Sequence, residues 1–170
     1  MSAVSPPRLG LTVGDPAGIG PEIVLKALAH REVPAAEWIV YGSRAVLDAS
    51  SSWLNLPPLE RSGATLVDVG GEVVPPGAVS SEAGRQAAEA VIRAAEDSLK
   101  GDLAGLVTAP LNKEAMHDAG YVVSFNTEAT DEEPGPNTRR LDAEVREFWV
   151  ANVGPTIEAA RPGIAPAARR

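Results

Sequence analysis

Three glycines and an aspartate lie close together near the N-terminus, in the segment Leu-Thr-Val-Gly-Asp-Pro-Ala-Gly-Ile-Gly-Pro-Glu of residues 11–22. An apolar run ends in this turn, and a helical pattern follows at once. A helix that begins directly after a strand points its free N–H groups at one spot, which suits a phosphate or carboxylate. Gly14, Gly18 and Gly20 would let a ligand approach the backbone closely. The segment predicts either an anion site or a tight strand-to-helix turn, and its spacing leaves both open.

The glycine spacing excludes two common nucleotide motifs. The pattern is G-x-x-x-G-x-G, whereas the dinucleotide fingerprint is G-x-G-x-x-G. No Gly-Lys-Ser or Gly-Lys-Thr follows, so the segment is not a P-loop either.

A few polar side chains near predicted element ends are further candidates. Asp15 is either an Asx-turn residue that bonds its own backbone or a polar contact to a ligand. Lys113 begins a short predicted helix, where its charge opposes the helix dipole; it either binds a substrate anion or is a solvated surface lysine. His117 lies on the same face of that helix as Lys113 and is either a surface histidine, the favoured interpretation, or part of the site. Thr108 ends a strand, where α/β sheets place ligand contacts. Arg85 is either part of a solvated face or a contact to an anion, and its position on the predicted helix favours the solvated face.

Apolar periodicity predicts alternating strands and helices. The predicted strands are 8–13, 38–41, 65–69 and 103–108, and the predicted helices are 19–29, 45–49, 80–100 and 112–117. Ser43, Ser80 or Ser81, and Asn112 are suited to cap the last three helices. The serine- and proline-containing residues 50–63 read as loop. This alternation is typical of an α/β sheet with helices on both faces.

The composition and charge of the chain argue against several classes of protein and of binding site. The 170 residues carry a net charge of −8, which argues against a general nucleic-acid surface and an anionic membrane surface. There are no cysteines, which excludes disulfides and thiolate metal sites. No signal peptide or membrane-length apolar run is present, so a cytoplasmic protein is expected.

The character of the sequence changes after about residue 123. Residues 128–140 hold four acids, two prolines and two arginines, and residues 161–170 are rich in proline, alanine and arginine. We therefore expect an α/β region at 1–123 and a largely disordered tail at 124–170, with one possible amphipathic helix at 141–150.

Four segments carry a family resemblance. They are residues 14–22, residues 79–85 (Val-Ser-Ser-Glu-Ala-Gly-Arg), residues 106–115 (Leu-Val-Thr-Ala-Pro-Leu-Asn-Lys-Glu-Ala) and residues 119–121 (Ala-Gly-Tyr). In this order, they resemble the N-terminal half of 4-hydroxythreonine-4-phosphate dehydrogenase, the PdxA family of vitamin B6 biosynthesis. The resemblance covers about residues 8–121.

The resemblance implies an α/β/α sandwich like that of isocitrate and isopropylmalate dehydrogenases, here incomplete, and a homodimer. It also implies NAD-dependent oxidation of 4-phosphohydroxy-L-threonine followed by decarboxylation, with a divalent metal (Zn, Mg or Co) held by histidines. A close branch of the family acts on 4-phosphothreonate-type substrates, and these motifs do not separate the two.

The chain also departs from the family pattern. Where the family has a substrate-binding Gly-His-Thr-Glu segment, this chain has Phe-Asn-Thr-Glu at residues 125–128, so Asn126 and Thr127 are the expected substrate contacts. No resemblance is found after residue 128. The chain has two histidines, His30 and His117, which cannot form the family's three-histidine site, so no metal ligand is assigned. We expect a dehydrogenase truncated or altered after about residue 121; the alternative is a catalytically silent fragment that binds a small phosphorylated ligand.

Overall fold

A four-stranded parallel sheet organises the protein, with strand order β3-β2-β1-β4. The structure is a computed structural model, and it describes residues 5–29, 35–122 and 139–140. The strands of this sheet are β1 (Arg8–Thr12), β2 (Glu37–Gly42), β3 (Thr65–Asp68) and β4 (Gly105–Thr108). The helices are α1 (Gly20–Ala29), α2 (Arg44–Trp53), α3 (Ser81–Leu99) and α4 (Lys113–Asp118), with a 3₁₀ helix at Leu59–Ser62. Two further short strands, β5 (Tyr121–Val122) and β6 (Arg139–Arg140), pair with each other in parallel.

The alternation of side chains along the strands builds two apolar layers. On one face of the sheet, Leu11 and Val40 pack in a cluster with residues of α1, α2 and the 3₁₀ helix. On the opposite face, Ile39 and Tyr41 pack against Ala90 of α3. Because successive side chains of a strand point to opposite faces, β2 and β3 contribute to both layers. The predicted α/β class with helices on both faces is confirmed.

Three predicted helix caps are present. The side chains of Ser43, Ser80 and Asn112 each accept a hydrogen bond from the main-chain N–H three residues later, over 3.5, 3.2 and 3.1 Å. Each bond satisfies an N–H that the first turn of a helix leaves free. Gly101 follows the C-terminal end of α3 with φ of +82°, the conformation expected of a glycine at that position.

Several predicted boundaries were wrong. The prediction of loop over residues 50–63 missed the last turn of α2, which continues to Trp53, and the 3₁₀ helix. The serines do not end α2, because the hydroxyls of Ser51 and Ser52 donate to the carbonyl oxygen of Asp48, over 2.9 and 3.0 Å. Their polar groups are thus satisfied inside the helix. The strand predicted from residue 103 begins at Gly105.

Two other sequence-based expectations lie outside the described residues. These are the helix at 141–150 and the disordered tail, so the division into 1–123 and 124–170 stays a prediction. Among the residues that the structure describes, no helix is both long and apolar enough to cross a membrane.

Candidate functional site

The glycine-rich turn after β1 and the loop after β4 lie against each other. β1 and β4 are parallel neighbours, with Thr12 opposite Thr108, so both segments leave the same edge of the sheet. The main-chain N–H of Asp15 donates to the carbonyl oxygen of Pro110 over 2.9 Å. A Cβ atom on Gly14, whose φ is +72°, would overlap that same carbonyl group. The two sequence motifs therefore meet through their backbones at the carboxyl edge of the sheet.

Packing or backbone conformation requires two of the three glycines of the turn, and the third is not explained by either. Gly14 is required by its positive φ and by the approach of Pro110. Gly20 is required because a Cβ there would overlap the carbonyl oxygen of Val13. Gly18 is exposed and has neither constraint: the atoms nearest to a Cβ there belong to Asp15, at ordinary contact distances of 3.4–3.5 Å. Gly18 is thus the glycine of this turn that packing leaves unexplained.

Asp15 stabilises the turn from within. Its Oδ1 accepts a hydrogen bond from the N–H of Ala17 over 2.9 Å, and its carbonyl oxygen accepts one from the N–H of Gly18 over 3.1 Å. The residue is 9% exposed. This is the Asx-turn arrangement that the sequence offered as one of two readings. The geometry accounts for an aspartate here without a ligand, and a ligand contact stays a prediction.

Lys113 is the first residue of α4 and is exposed at the same edge of the sheet as the turn. The position of α4 is set by a close approach to α3, since a Cβ on Gly84 would overlap the carbonyl oxygen of Ala115. His117, one turn further along α4, is 80% exposed and lies 3.9 Å from a carboxylate oxygen of Asp118. Thr108 is exposed at the end of β4.

A polar cluster on α3 went unnoticed in the sequence. Arg85 donates two hydrogen bonds to Glu82, over 2.7 and 2.9 Å, so its charge is paired within the helix rather than solvated alone. Hydrogen bonds, first from Arg85 and then from Gln86, lower the pKa of Glu82 to about 2. Gln86 is buried, and its amide nitrogen donates to the carbonyl oxygen of Glu72 and to Glu82. The i, i+3 and i, i+4 spacing of these residues was the available signal.

Two buried polar atoms have no hydrogen-bond partner in the described part of the chain. They are the hydroxyl oxygen of Thr12 and the side-chain carbonyl oxygen of Gln86. Thr12 is fully buried at the last position of β1. Its register places it between Tyr41 and Thr108 on neighbouring strands. The sequence pattern predicts only a buried strand at this position.

The remaining predicted site residues fall outside the described ranges. Asn126 and Thr127 lie there, as does His30. Within residues 5–29 and 35–122, no group of three histidine, aspartate or glutamate side chains is arranged to hold a metal ion. The donors present in that part of the chain therefore do not fit the metal centre that the resemblance implied.

The sequence of this chain is similar to a known protein family and to several of its characterised members. Residues 34–155 match the family model described as pyridoxal phosphate biosynthetic protein PdxA. The match passes residue 128, so the family signal extends further along the chain than the motifs indicated. A 4-hydroxythreonine-4-phosphate dehydrogenase from Synechococcus sp. (strain JA-3-3Ab) is 42% identical over 72% of this chain and 38% of its own length. A D-threonate 4-phosphate dehydrogenase from Salmonella typhimurium is 36% identical over 71% of this chain and 42% of its own length.

The fold of this chain is similar to that of a solved structure. The crystal structure of a 4-hydroxythreonine-4-phosphate dehydrogenase from Burkholderia phymatum superposes with a TM-score of 0.62 at 32% identity, covering 69% of this chain and 40% of that one. The chain thus spans about two fifths of the length of the curated relatives that it matches. On the family match and these relatives together, this chain belongs to the PdxA family.

Proposed function

We propose that this chain supplies a ligand site at the carboxyl ends of strands β1 and β4. The site belongs to an NAD-dependent dehydrogenase that acts on a small phosphorylated hydroxy acid. Two named substrates come from the relatives, 4-hydroxythreonine 4-phosphate and D-threonate 4-phosphate. With the first substrate, the proposed activity belongs to pyridoxal phosphate biosynthesis, the process that names the family. We also propose, from the family, that the protein acts as a homodimer in the cytoplasm.

The observation that carries this proposal is the backbone contact between the two motifs. The hydrogen bond from Asp15 to Pro110 holds the start of α1 and the start of α4 at one edge of the sheet. Ligands of open α/β sheets bind at the carboxyl ends of strands. An anion at this edge would be attracted by the N-terminal end of α1 and by the ammonium of Lys113. An exposed helix end contributes about 0.3–1 kcal/mol, so binding is expected to be weak and sensitive to salt.

Different residues have different proposed roles in this site. Gly14 and Gly20 shape the turn, and Asp15 braces it. Gly18 leaves room for a ligand atom to approach the backbone. Lys113 attracts the phosphate or carboxylate. Asn126 and Thr127 are proposed as substrate contacts on the family resemblance alone.

The reaction proposed for the complete site is oxidation followed by loss of carbon dioxide. A bound nicotinamide cofactor would accept the hydride from the carbon that bears the substrate hydroxyl. This chain's own contribution is to bind and orient the charged groups of the substrate and cofactor around that carbon. No step is assigned to a metal, because the described donors do not fit one.

A second candidate function is ligand binding without turnover. It is favoured by the histidine count, since two histidines in the sequence cannot form a three-histidine centre within one copy of the chain. Both candidates share the same binding site and differ in whether hydride transfer follows.

Amide chemical shifts test the site. Titration of the isotope-labelled chain with D-threonate 4-phosphate or with 4-phosphohydroxy-L-threonine is expected to shift the amide signals of Gly18 and Gly20. The Lys113→Ala variant should reduce these shifts. Lys100→Ala is the matched control, because Lys100 lies at the C-terminal end of α3, paired with Asp97 at 3.1 Å. Equal losses in both variants, or no shifts in the unaltered chain, would show that the turn is purely structural.

A further inference from the structure

Thr12 carries an unpartnered hydroxyl at the edge of the sheet where the candidate site lies. It is the last residue of β1, it is fully buried, and its hydroxyl oxygen has no hydrogen-bond partner among the described residues. A hydroxyl buried without a partner costs free energy, and most buried polar side chains in proteins avoid that cost. Valine has the same shape and would pack here without it. The hydroxyl therefore indicates a function other than packing.

The side chain of Thr12 lies on the face of the sheet that α3 covers. Leu11 before it and Val13 after it belong to the apolar cluster on the opposite face, and successive side chains of a strand alternate between faces. In the strand register, Thr12 lies opposite Tyr41 on β2 and Thr108 on β4. All three side chains therefore share one face, and Thr12 has a hydroxyl-bearing neighbour on each side.

The two neighbours differ in what their hydroxyls can do. Tyr41 is buried, and its hydroxyl donates to a carboxylate oxygen of Asp97 over 2.8 Å, which commits it to α3. Thr108 is exposed at the end of β4. Adjacent strands lie about 4.8 Å apart, so rotation about χ1 can bring the hydroxyls of Thr12 and Thr108 together. Thr108 is therefore the neighbour through which Thr12 can act on a ligand.

The hydroxyl of Thr108 can serve a ligand and Thr12 at the same time. A threonine hydroxyl has one donor hydrogen and two acceptor lone pairs. Toward a phosphate or carboxylate oxygen, Thr108 donates its hydrogen, and its own oxygen can still accept. Thr12 is buried and does not reach a ligand itself, but its hydroxyl can donate to that oxygen.

We propose that Thr12 is a positioning residue of the candidate site: its hydroxyl donates a hydrogen bond to Thr108 when Thr108 donates to an anionic group of the ligand. The proposal rests on the site proposed above and adds two threonines to it. Binding fixes one rotamer of Thr108 and supplies the partner that the Thr12 hydroxyl lacks. A bond that forms only in the complex strengthens binding and does not stabilise the unbound chain.

Affinity and stability should respond in opposite directions to Thr12→Val. The full chain is titrated with D-threonate 4-phosphate, and the dissociation constant is taken from the amide shifts of Gly18 and Gly20. Thr12→Val is expected to weaken binding about fivefold, the effect of one hydrogen bond, and to raise the melting temperature. Thr12→Ser keeps the hydroxyl and should retain most of the affinity. Thr65→Val is the matched control, because Thr65 is exposed at the first position of β3, at the other end of the sheet.

A double variant tests the path through Thr108. Thr108→Val should also weaken binding. Adding Thr12→Val to it should cause no further loss of affinity, because the two hydroxyls act through one chain of hydrogen bonds. A merely structural role of Thr12 would not produce this dependence.

The possible outcomes separate this inference from the proposed function. Equal affinity of Thr12→Val and the unaltered chain would overturn the inference and leave the proposed site intact. A full further loss in the double variant, or equal losses in Thr12→Ser and Thr12→Val, would also overturn it. An unaltered chain without amide shifts would overturn the site and the inference together. If Thr12→Val does not fold, Thr12→Ala removes the same hydroxyl and carries the comparison.

Discussion

The main-chain N–H of Asp15 lies 2.9 Å from the carbonyl oxygen of Pro110 and donates a hydrogen bond to it. This bond connects residues almost a hundred positions apart in the sequence. It exists because β1 and β4 are parallel neighbours and end at the same edge. The turn after β1 is thus braced by the loop that leads to α4. Alterations on either side of this contact are expected to affect the candidate site.

Substitutions at Gly18 and Gly20 should distinguish a glycine needed for ligand binding from a glycine needed for packing. Gly20→Ala is expected to destabilise the protein by about 1–3 kcal/mol, because its Cβ would overlap the carbonyl oxygen of Val13. Gly18→Ala should change stability by less than about 0.5 kcal/mol and still weaken binding of D-threonate 4-phosphate. Urea denaturation and the amide titration measure the two effects. Unchanged affinity in Gly18→Ala would remove this glycine from the site.

Gly84→Ala should destabilise the protein, although alanine normally favours a helix. A Cβ on Gly84 would overlap the carbonyl oxygen of Ala115, so α4 must move away from α3. The expected loss is about 1–3 kcal/mol in the free energy of unfolding. Gly105→Ala is the control, because its Cβ would meet only a methyl group of Leu9 at 3.4 Å. Equal stability of the two variants would contradict the observed packing of α3 on α4.

The Glu82–Arg85 pair should make stability depend on pH in acid. Hydrogen bonds from Arg85 first and Gln86 second lower the folded-state pKa of Glu82 from 4.5 to about 2, although burial opposes them. The contribution of this carboxylate is therefore present above about pH 4.5 and is lost as the pH falls toward about 2. Melting temperatures recorded across that range should fall less steeply for Glu82→Gln than for the unaltered chain. Arg85→Met should flatten the curve in the same way, and an unchanged slope in both variants would exclude this pair as the cause.

Thr12→Val should stabilise the protein. The substitution keeps the shape of the side chain and removes a buried hydroxyl that has no partner in the described residues. Relief of that unsatisfied group is expected to raise the free energy of unfolding by about 1 kcal/mol. Thr65→Val, at an exposed position of β3, should have a smaller effect. A loss of stability in Thr12→Val would mean that the hydroxyl bonds to water or to another group.

The chain by itself should not turn over substrate. With NAD, a divalent metal and 4-phosphohydroxy-L-threonine, we expect no NADH above a blank without protein. The reason is that two histidines cannot supply a three-histidine centre in one chain. Absorbance at the wavelength of NADH measures the result. Metal-dependent NADH formation that a chelator abolishes would contradict this expectation.

Much of the local structure could be predicted from the sequence because it depends on interactions between residues that are close together in the chain. The caps Ser43, Ser80 and Asn112 are satisfied by bonds to residues three positions away, so their function depends on nearby sequence. The family motifs likewise preserve their order along the chain. Residues 50–53 were mistaken for loop because serine propensity is a weak guide when the hydroxyls can bond within the helix.

The sequence by itself therefore determined the α/β class, the family and the positions where helices begin. Only the tertiary structure decided that β1 lies between β2 and β4, and hence that Asp15 meets Pro110. It also decided which glycines packing requires, since a Cβ would overlap Val13 at Gly20 and Ala115 at Gly84, but would make only ordinary contacts with Asp15 at Gly18. These relations depend on contacts between residues distant in the chain or on backbone geometry, and periodicity carries no information about either.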